Sequence, residues 1–213
     1  MRTLIFLLLI SVFLPLSLPA QKKAQKKRRD HVFTLTTRFG EVRFILFDET
    51  PIHKANFLEK TKEGFYDSLT FHRVIDNFMI QGGNPYTRPG ASMDNIRPEV
   101  PNDTNSLPAE IMPELSHVKG AVAAARLGDR INPQKRSSLS QFYIVQNENG
   151  TPHLDGGYTV FGKVIDGIDV VDEIAGQPTS RPGDRPLQDI RMVISVKKMS
   201  KRKIAKRYGY TYR

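Results

Sequence analysis

Phe71-His72-Arg73-Val74-Ile75-Asp76-Asn77-Phe78-Met79-Ile80-Gln81-Gly82-Gly83 decides how the rest of the chain is read. Arg73 leaves an extended segment, Asp76-Asn77 turns the chain, and Phe78 and Met79 follow the turn. Gln81 then falls where its amide reaches back toward the guanidinium. The stretch sets a cation against an apolar pocket and offers no nucleophile. A lone arginine on a strand is ordinarily a surface ion-pair partner, so the remainder of the sequence has to supply the context.

It does so in three further stretches. Gly120-Ala121-Val122-Ala123-Ala124-Ala125-Arg126 is a run of small apolar residues suited to a strand with close neighbours. In Ser140-Gln141-Phe142-Tyr143-Ile144, Gln141 and Tyr143 face one side of a strand and Phe142 the other. Leu154-Asp155-Gly156-Gly157 precedes Tyr158-Thr159-Val160-Phe161-Gly162-Lys163-Val164. In this order the motifs resemble those of the cyclophilin-type peptidyl-prolyl isomerases, over residues 32–196.

The resemblance implies a fold and a set of roles. The fold is mainly β: a closed antiparallel eight-stranded barrel capped by two α-helices. Arg73 would be the catalytic arginine and Gln81 its holder. Phe78, Met79, Tyr143 and Leu154 would line the proline pocket. Ala125, Arg126 and Gln141 would border the groove for the residues before proline, and Tyr158 would close the rim. No metal or cofactor is implied. The partners would be proline-containing unfolded or extended polypeptides met by a monomer, with no specific nucleic acid. This chain departs from the family pattern at Tyr143, often Phe, and at Tyr158, often His. His153 stands where vertebrate members carry a Trp that contacts cyclosporin.

The elements follow from period and turn residues. Phe33, Leu35 and Thr37, then Val42, Phe44 and Leu46, alternate about Arg38-Phe39-Gly40, which predicts a hairpin. Thr50 reads as an N-cap with Pro51 at the first helical position. Ile52, Ala55 and Leu58 form the expected buried stripe with Phe57 beside it, and Gly64 ends the helix. Residues 69–75, 120–125, 140–145 and 158–164 read as strands. A short helix spans 168–175, with Ile168, Val171, Ile174 and Ala175 on one side, and Ile190, Met192, Ile194 and Val196 alternate in a last strand. Residues 84–108 and 127–138 read as loops, the first running around an open groove.

Composition bounds the rest. The 213 residues suit one domain with a full core. There is no cysteine, which excludes disulfides and thiol chemistry. The five histidines stand at no metal-ligand spacing such as H-x-x-x-H. His72 reads as a structural histidine. No serine lies in a G-x-S-x-G context, and Gly82-Gly83 lacks a following G-K-[ST], so it reads as a tight backbone turn.

The +10 net charge is concentrated at the ends. Residues 21–30 carry six basic groups and one acid, and residues 197–213 carry eight basic groups and none. Residues 31–196 carry 17 Lys and Arg against 21 Asp and Glu, or 17 − 21 = −4. The organisation expected is a signal peptide over 1–20, a basic linker over 21–30, the domain over 31–198 and a basic tail over 199–213. Leu4 to Leu18 is almost wholly apolar and Pro19-Ala20 offers a cleavage point, which predicts an exported, periplasmic or secreted protein. The alternative is an uncleaved N-terminal anchor, since the basic cluster after the apolar run resists translocation. The basic tails would touch anionic membrane or polymer weakly. Two other functions compete with the isomerase. A pure binder of proline segments has no use for a cation aimed at the prolyl nitrogen. A protein working through its tails would lose function when they are removed.

Overall fold

The structure is a computed structural model that describes residues 28–91 and 102–212. The expected signal peptide and most of the basic linker lie outside the described residues. Among the described residues twelve strands are formed in chain order: β1 Arg29–Thr37, β2 Gly40–Leu46, β3 Arg73–Ile75, β4 Met79–Gly82, β5 Ser106–Leu107, β6 Ala121–Ala124, β7 Ser137–Ser138, β8 Phe142–Val145, β9 Val160–Asp166, β10 Thr179–Ser180, β11 Arg185–Pro186 and β12 Val193–Ser200. Three helices accompany them among the described residues: α1 Pro51–Lys62, α2 Ile168–Ala175 and α3 Lys201–Tyr208.

Eight strands make one antiparallel sheet in the order β12-β1-β2-β9-β6-β8-β4-β3. The expected hairpin is its β1–β2 pair, with Phe33 opposite Phe44 and Leu35 opposite Val42. The ladder itself stops at β3 and β12, so complete closure by strand pairing is not seen. Between these ends stand an isolated bridge, Thr70 to Arg191, and backbone bonds from Ser68 N to Met192 O (2.9 Å), Met192 N to Leu69 O (2.8 Å) and Phe71 N to Ile190 O (3.0 Å).

One face of the sheet holds an aromatic core. Phe57 of α1 sits in its middle, 4.7 Å from the Tyr66 ring, 5.4 Å from Phe142 and 5.5 Å from Phe33. The expected α1 stripe needs correction. His53, Phe57 and Thr61 are its buried residues, whereas Ile52 is exposed. The i, i+3 spacing of the expected stripe gives way to an i, i+4 row centred on an aromatic flanked by polar residues. The capping is also different. Thr50 occupies the N-cap position without a side-chain bond. The Glu110 carboxylate accepts instead from Ile52 N (3.0 Å) and His53 N (2.9 Å), and from His53 Nδ1 (2.6 Å). A sequence-distant acid thus satisfies the orphan amides of the first turn.

α3 is the second correction, since it makes three helices of the expected two. The region read as a basic tail continues β12 through Ser200 and then turns into a helix capped by the Ser200 hydroxyl, which accepts from Lys203 N (3.2 Å). Ile204 is fully buried with Val32, Ile45 and Met199, and Tyr208, Tyr210 and Tyr212 pack around them. The basic residues face outward and had hidden this second, smaller core.

Candidate active site

Strand register builds the site. On the outer face of the sheet, Arg73 lies opposite Gln81, Gln81 opposite Tyr143, and Tyr143 opposite Ala123. This row crosses β3, β4, β8 and β6 in one line. The neighbouring row on that face is Ile75, Met79 and Val145. The intervening residues Val74, Ile80, Ile144 and Val122 point into the main core, as a period of two requires. The sequence Arg-Val-Ile followed by Met-Ile-Gln therefore presents a cation, an amide and a thioether to one side, while its apolar partners pack on the other.

Apolar groups gather beside the row. Met79 and Tyr143 are buried, and Phe78, Ala125, Leu154 and Tyr158 pack on them partly exposed. These are six of the residues expected around the proline and its groove. Phe78 follows the Asp76-Asn77 turn, where Asn77 takes φ +57°, and its carbonyl is held by Gln146 N and Asn147 N. His153 stacks on Phe78 at 5.8 Å and 22°. Behind β4, Gly83 (φ +84°) passes so close to Ser140 that any Cβ would land on its carbonyl oxygen. Gly83 is a backbone crossing, whereas Gly82 is hemmed in by the Met192 and Phe71 side chains.

Three details differ from the sequence reading or extend it. Gln81 was expected to hold the guanidinium, but its Nε2 donates to Gln141 Oε1 at 3.1 Å. Gln141, just before β8, offers an acceptor to this amide nitrogen, which a guanidinium cannot do. The Arg73 side chain, 41% exposed, instead leans on Asp184, with Nε 3.7 Å from the carboxylate. Asp184 was not read from the sequence. Its only signal was the Pro182-Gly183-Asp184 turn, whose backbone also accepts from Val74 N (2.9 Å). Arg126 is placed beside the site but is largely engaged. It is 6% exposed, bonds Gly157 O (2.6 Å) and Leu127 O (2.9 Å), pairs with Asp129 (2.6 Å) and stands 4.4 Å over the Tyr158 ring.

The third detail is a polar chain behind the pocket, also missed. His117 Nδ1 lies 2.6 Å from Asp155 Oδ1 and its Nε2 lies 2.9 Å from the Tyr143 hydroxyl. Burial lowers the His117 pKa below its usual value, and the neighbouring Asp155 opposes this only in part. The Tyr143 phenol is pushed well above its usual range, first by burial. A Phe-to-Tyr departure from the family pattern was the available signal, but nothing in the spacing linked it to His117.

A groove of about 560 Å³ continues from Gln81 and Gln141 past Ala125 and Arg126 to Tyr86 and Ser106. The cation, the dry floor and this groove can bind an extended peptide with one ring inserted beside a fixed donor.

Comparison with known proteins agrees. The family profile described as cyclophilin type peptidyl-prolyl cis-trans isomerase/CLD matches residues 32–197. The chain belongs to this family and is an enzyme of its type. It is 40% identical to peptidyl-prolyl cis-trans isomerase CYP18-1 of Arabidopsis thaliana over 161 residues, covering 75% of this chain and 91% of that protein. It is 35% identical to peptidyl-prolyl cis-trans isomerase B of Escherichia coli over 167 residues, covering 74% and 93%. Other relatives are much longer. The match spans 36% of a Streptococcus pyogenes protein named as a bifunctional phosphatase/peptidyl-prolyl cis-trans isomerase. Among solved structures, a Cryptosporidium parvum cyclophilin superposes with TM-score 0.64 at 27% identity, over 79% of this chain and 98% of that one.

Proposed function

We propose that this isomerase accelerates X–Pro rotation by offering the Arg73 guanidinium to the prolyl nitrogen of a twisted amide, and that it thereby assists protein folding. The observation that carries the reading is the cross-strand row Arg73–Gln81–Tyr143 bordering the Met79 floor. The planar amide resists rotation by about 18–20 kcal/mol because its C–N bond is partly double. On twisting, the nitrogen regains a lone pair that the planar forms lack. A donor aimed there binds the transition state better than either isomer, which is the condition for catalysis. Arginine suits the task because it stays charged and presents rigid donors. When a peptide draws the guanidinium off Asp184, the free Oε1 of Gln81 is the neighbouring acceptor that steadies it. No covalent step is needed.

Arg73→Ala should lower kcat/KM by about 10²-fold, the range for losing one preorganised donor. Arg73→Lys should recover little, because the ammonium has no planar fork. An NMR exchange assay on an Ala-Pro peptide measures both, and near-normal turnover by the alanine variant would sink the mechanism.

The same proposal covers location and partners. The protein acts as a monomer on proline-containing segments of unfolded polypeptides outside the cytoplasm, after removal of residues 1–20. N-terminal sequencing of the natural protein should then begin near Gln21, and a full-length chain in the membrane fraction would favour the anchor. The exposed cations Lys197, Lys198, Arg202, Lys203, Lys206 and Arg207 support weak contact with anionic surfaces.

A further inference from the structure

The polar chain behind the pocket has a direction. Asp155 Oδ1 accepts the backbone N–H of His117 at 2.9 Å and faces its ring Nδ1 at 2.6 Å. A carboxylate only accepts, so Nδ1 carries the proton. In the neutral ring Nε2 is then an acceptor, and the Tyr143 O–H, 2.9 Å away, donates to it. The His117 side chain is fully buried and Tyr143 is 5% exposed. No other hydrogen-bond partner meets the Tyr143 hydroxyl among the described residues. Tyr158 stands edge-on to both rings, 6.0 Å from Tyr143 and 6.4 Å from His117.

We propose that Asp155 and His117 are positioning residues of the proline pocket: they set the Tyr143 hydroxyl, and through it the ring that walls the pocket, and this setting is lost when His117 takes up a second proton. The inference rests on the reading of Met79, Leu154 and Tyr143 as the proline site. With His117 doubly protonated, Nε2 becomes a donor and displaces the phenol proton. The phenol hydrogen must then turn away from His117, and no second hydrogen-bond partner meets this hydroxyl among the described residues, where Tyr143 shares an apolar cluster with Met79, Val145 and Val160. A buried donor without a partner is costly, so the ring shifts or water enters, and the pocket loses affinity for proline.

Four groups face His117: Asp155, His153 of the preceding turn, Tyr143 of β8 and Tyr158 before β9. Asp155 favours the charged ring, while burial and His153 oppose it, so the second proton arrives below the usual histidine range. Arg126, over the Tyr158 ring, is one ring further away.

The test uses the full chain and a blocked peptide with no ionisable group, acetyl-Ala-Ala-Pro-Ala-amide, with exchange rates read by NMR and corrected for the folded fraction. From pH 7.5 to 4.5, KM should rise about tenfold while kcat changes less than about twofold, the pattern of lost binding common to ground and transition states. In Tyr143→Phe, whatever its neutral-pH KM, the pH-dependent rise should vanish. In Asp155→Asn the rise should move to lower pH, since the charge that favours protonated His117 is gone. A rise that persists in Tyr143→Phe would assign it elsewhere, with exposed His153 the first suspect, and would overturn the proposal. So would a rise that stays at the same pH in Asp155→Asn. Leu154→Ala at pH 7.5 separates the underlying reading: an unchanged KM there would remove the proline site itself, whereas a raised KM with no pH dependence in the unmodified enzyme would remove only the role of His117.

Discussion

His153 is exposed and stacks on Phe78, at the position that the sequence resemblance matches to the Trp of cyclosporin-binding members. Imidazole covers less apolar area than indole and lacks its N–H at the same reach. At ~25 cal/mol per Å² the missing area weakens drug binding by roughly 1–2 kcal/mol, with a lost hydrogen bond in addition. Inhibition by cyclosporin should therefore be weak, and His153→Trp should restore much of it while leaving peptide turnover nearly unchanged. Nanomolar inhibition of the unmodified enzyme would refute this. Gly83 makes a second prediction at this scale. With φ +84° and no room for a Cβ before Ser140 O, Gly83→Ala should destabilise the fold by at least ~2 kcal/mol, measured by urea unfolding. The face shared by Arg73, Met79, Gln81 and Tyr143 follows from the period of two, whereas the roles given to these residues came from the resemblance. Asp184, Asp155 and His117 were not legible, because they reach the site from turns whose position no local pattern encodes.

At the scale of elements, α1 is the instructive case. Its sequence offers Ile52, Ala55 and Leu58 as an apolar stripe, yet the helix turns Phe57 inward and leaves Ile52 and Ala55 to solvent. One aromatic that contacts Phe33, Phe44, Tyr66, Phe142 and Phe161 outweighs three smaller side chains. Phe57→Ala should cost about 3–5 kcal/mol, whereas Ile52→Ala should change stability by less than about 0.5 kcal/mol. Equilibrium unfolding of the two variants decides between the stripes. Seven strands of the main sheet were read to within about four residues and α2 at its observed bounds, but β4 was not read as a strand, and β5 and β7 fall in stretches expected to be loops. The helix α3 was not read, because charge dominates residues 197–213 and its apolar anchors, Ile204 and the three tyrosines, pack with Met199 against the sequence-distant Val32, Ile45 and Ile165.

For the whole molecule, buried and half-buried histidines set the response to acid. His53, His72 and His117 all have pKa values lowered first by burial, His72 to about 4. Between the unfolded value near 6.5 and the folded value near 4, the unfolded chain binds more protons, so stability falls as pH falls through that window. His72 alone accounts for ~3 kcal/mol of this loss. Urea midpoints should decline from pH 7 to 4.5, and His72→Gln should flatten the decline. The lowered carboxylates Asp48 and Asp155 act later, since their contribution is lost only as pH drops below the ordinary 3.8. The mainly β architecture was legible from strand alternation, whereas the way the sheet's two ends approach each other depends on one bridge and a few backbone bonds that leave no mark on the sequence.

The pairing of β1 with β12 also governs how the chain is made. Arg29 to Thr36 match Ser200 to Val193 in antiparallel register, and Lys201 N donates to Arg28 O at 2.9 Å. Synthesis delivers β1 first and β12 last. While the polypeptide grows, β1 can pair with β2, but its other edge stays open until residues 193–200 have emerged. An unpaired edge is a template for misassociation, and contacts this far apart in sequence form slowly. The nascent protein is thus itself a client in need of protection, and chains arrested before residue 193 should aggregate where those released after Tyr212 fold.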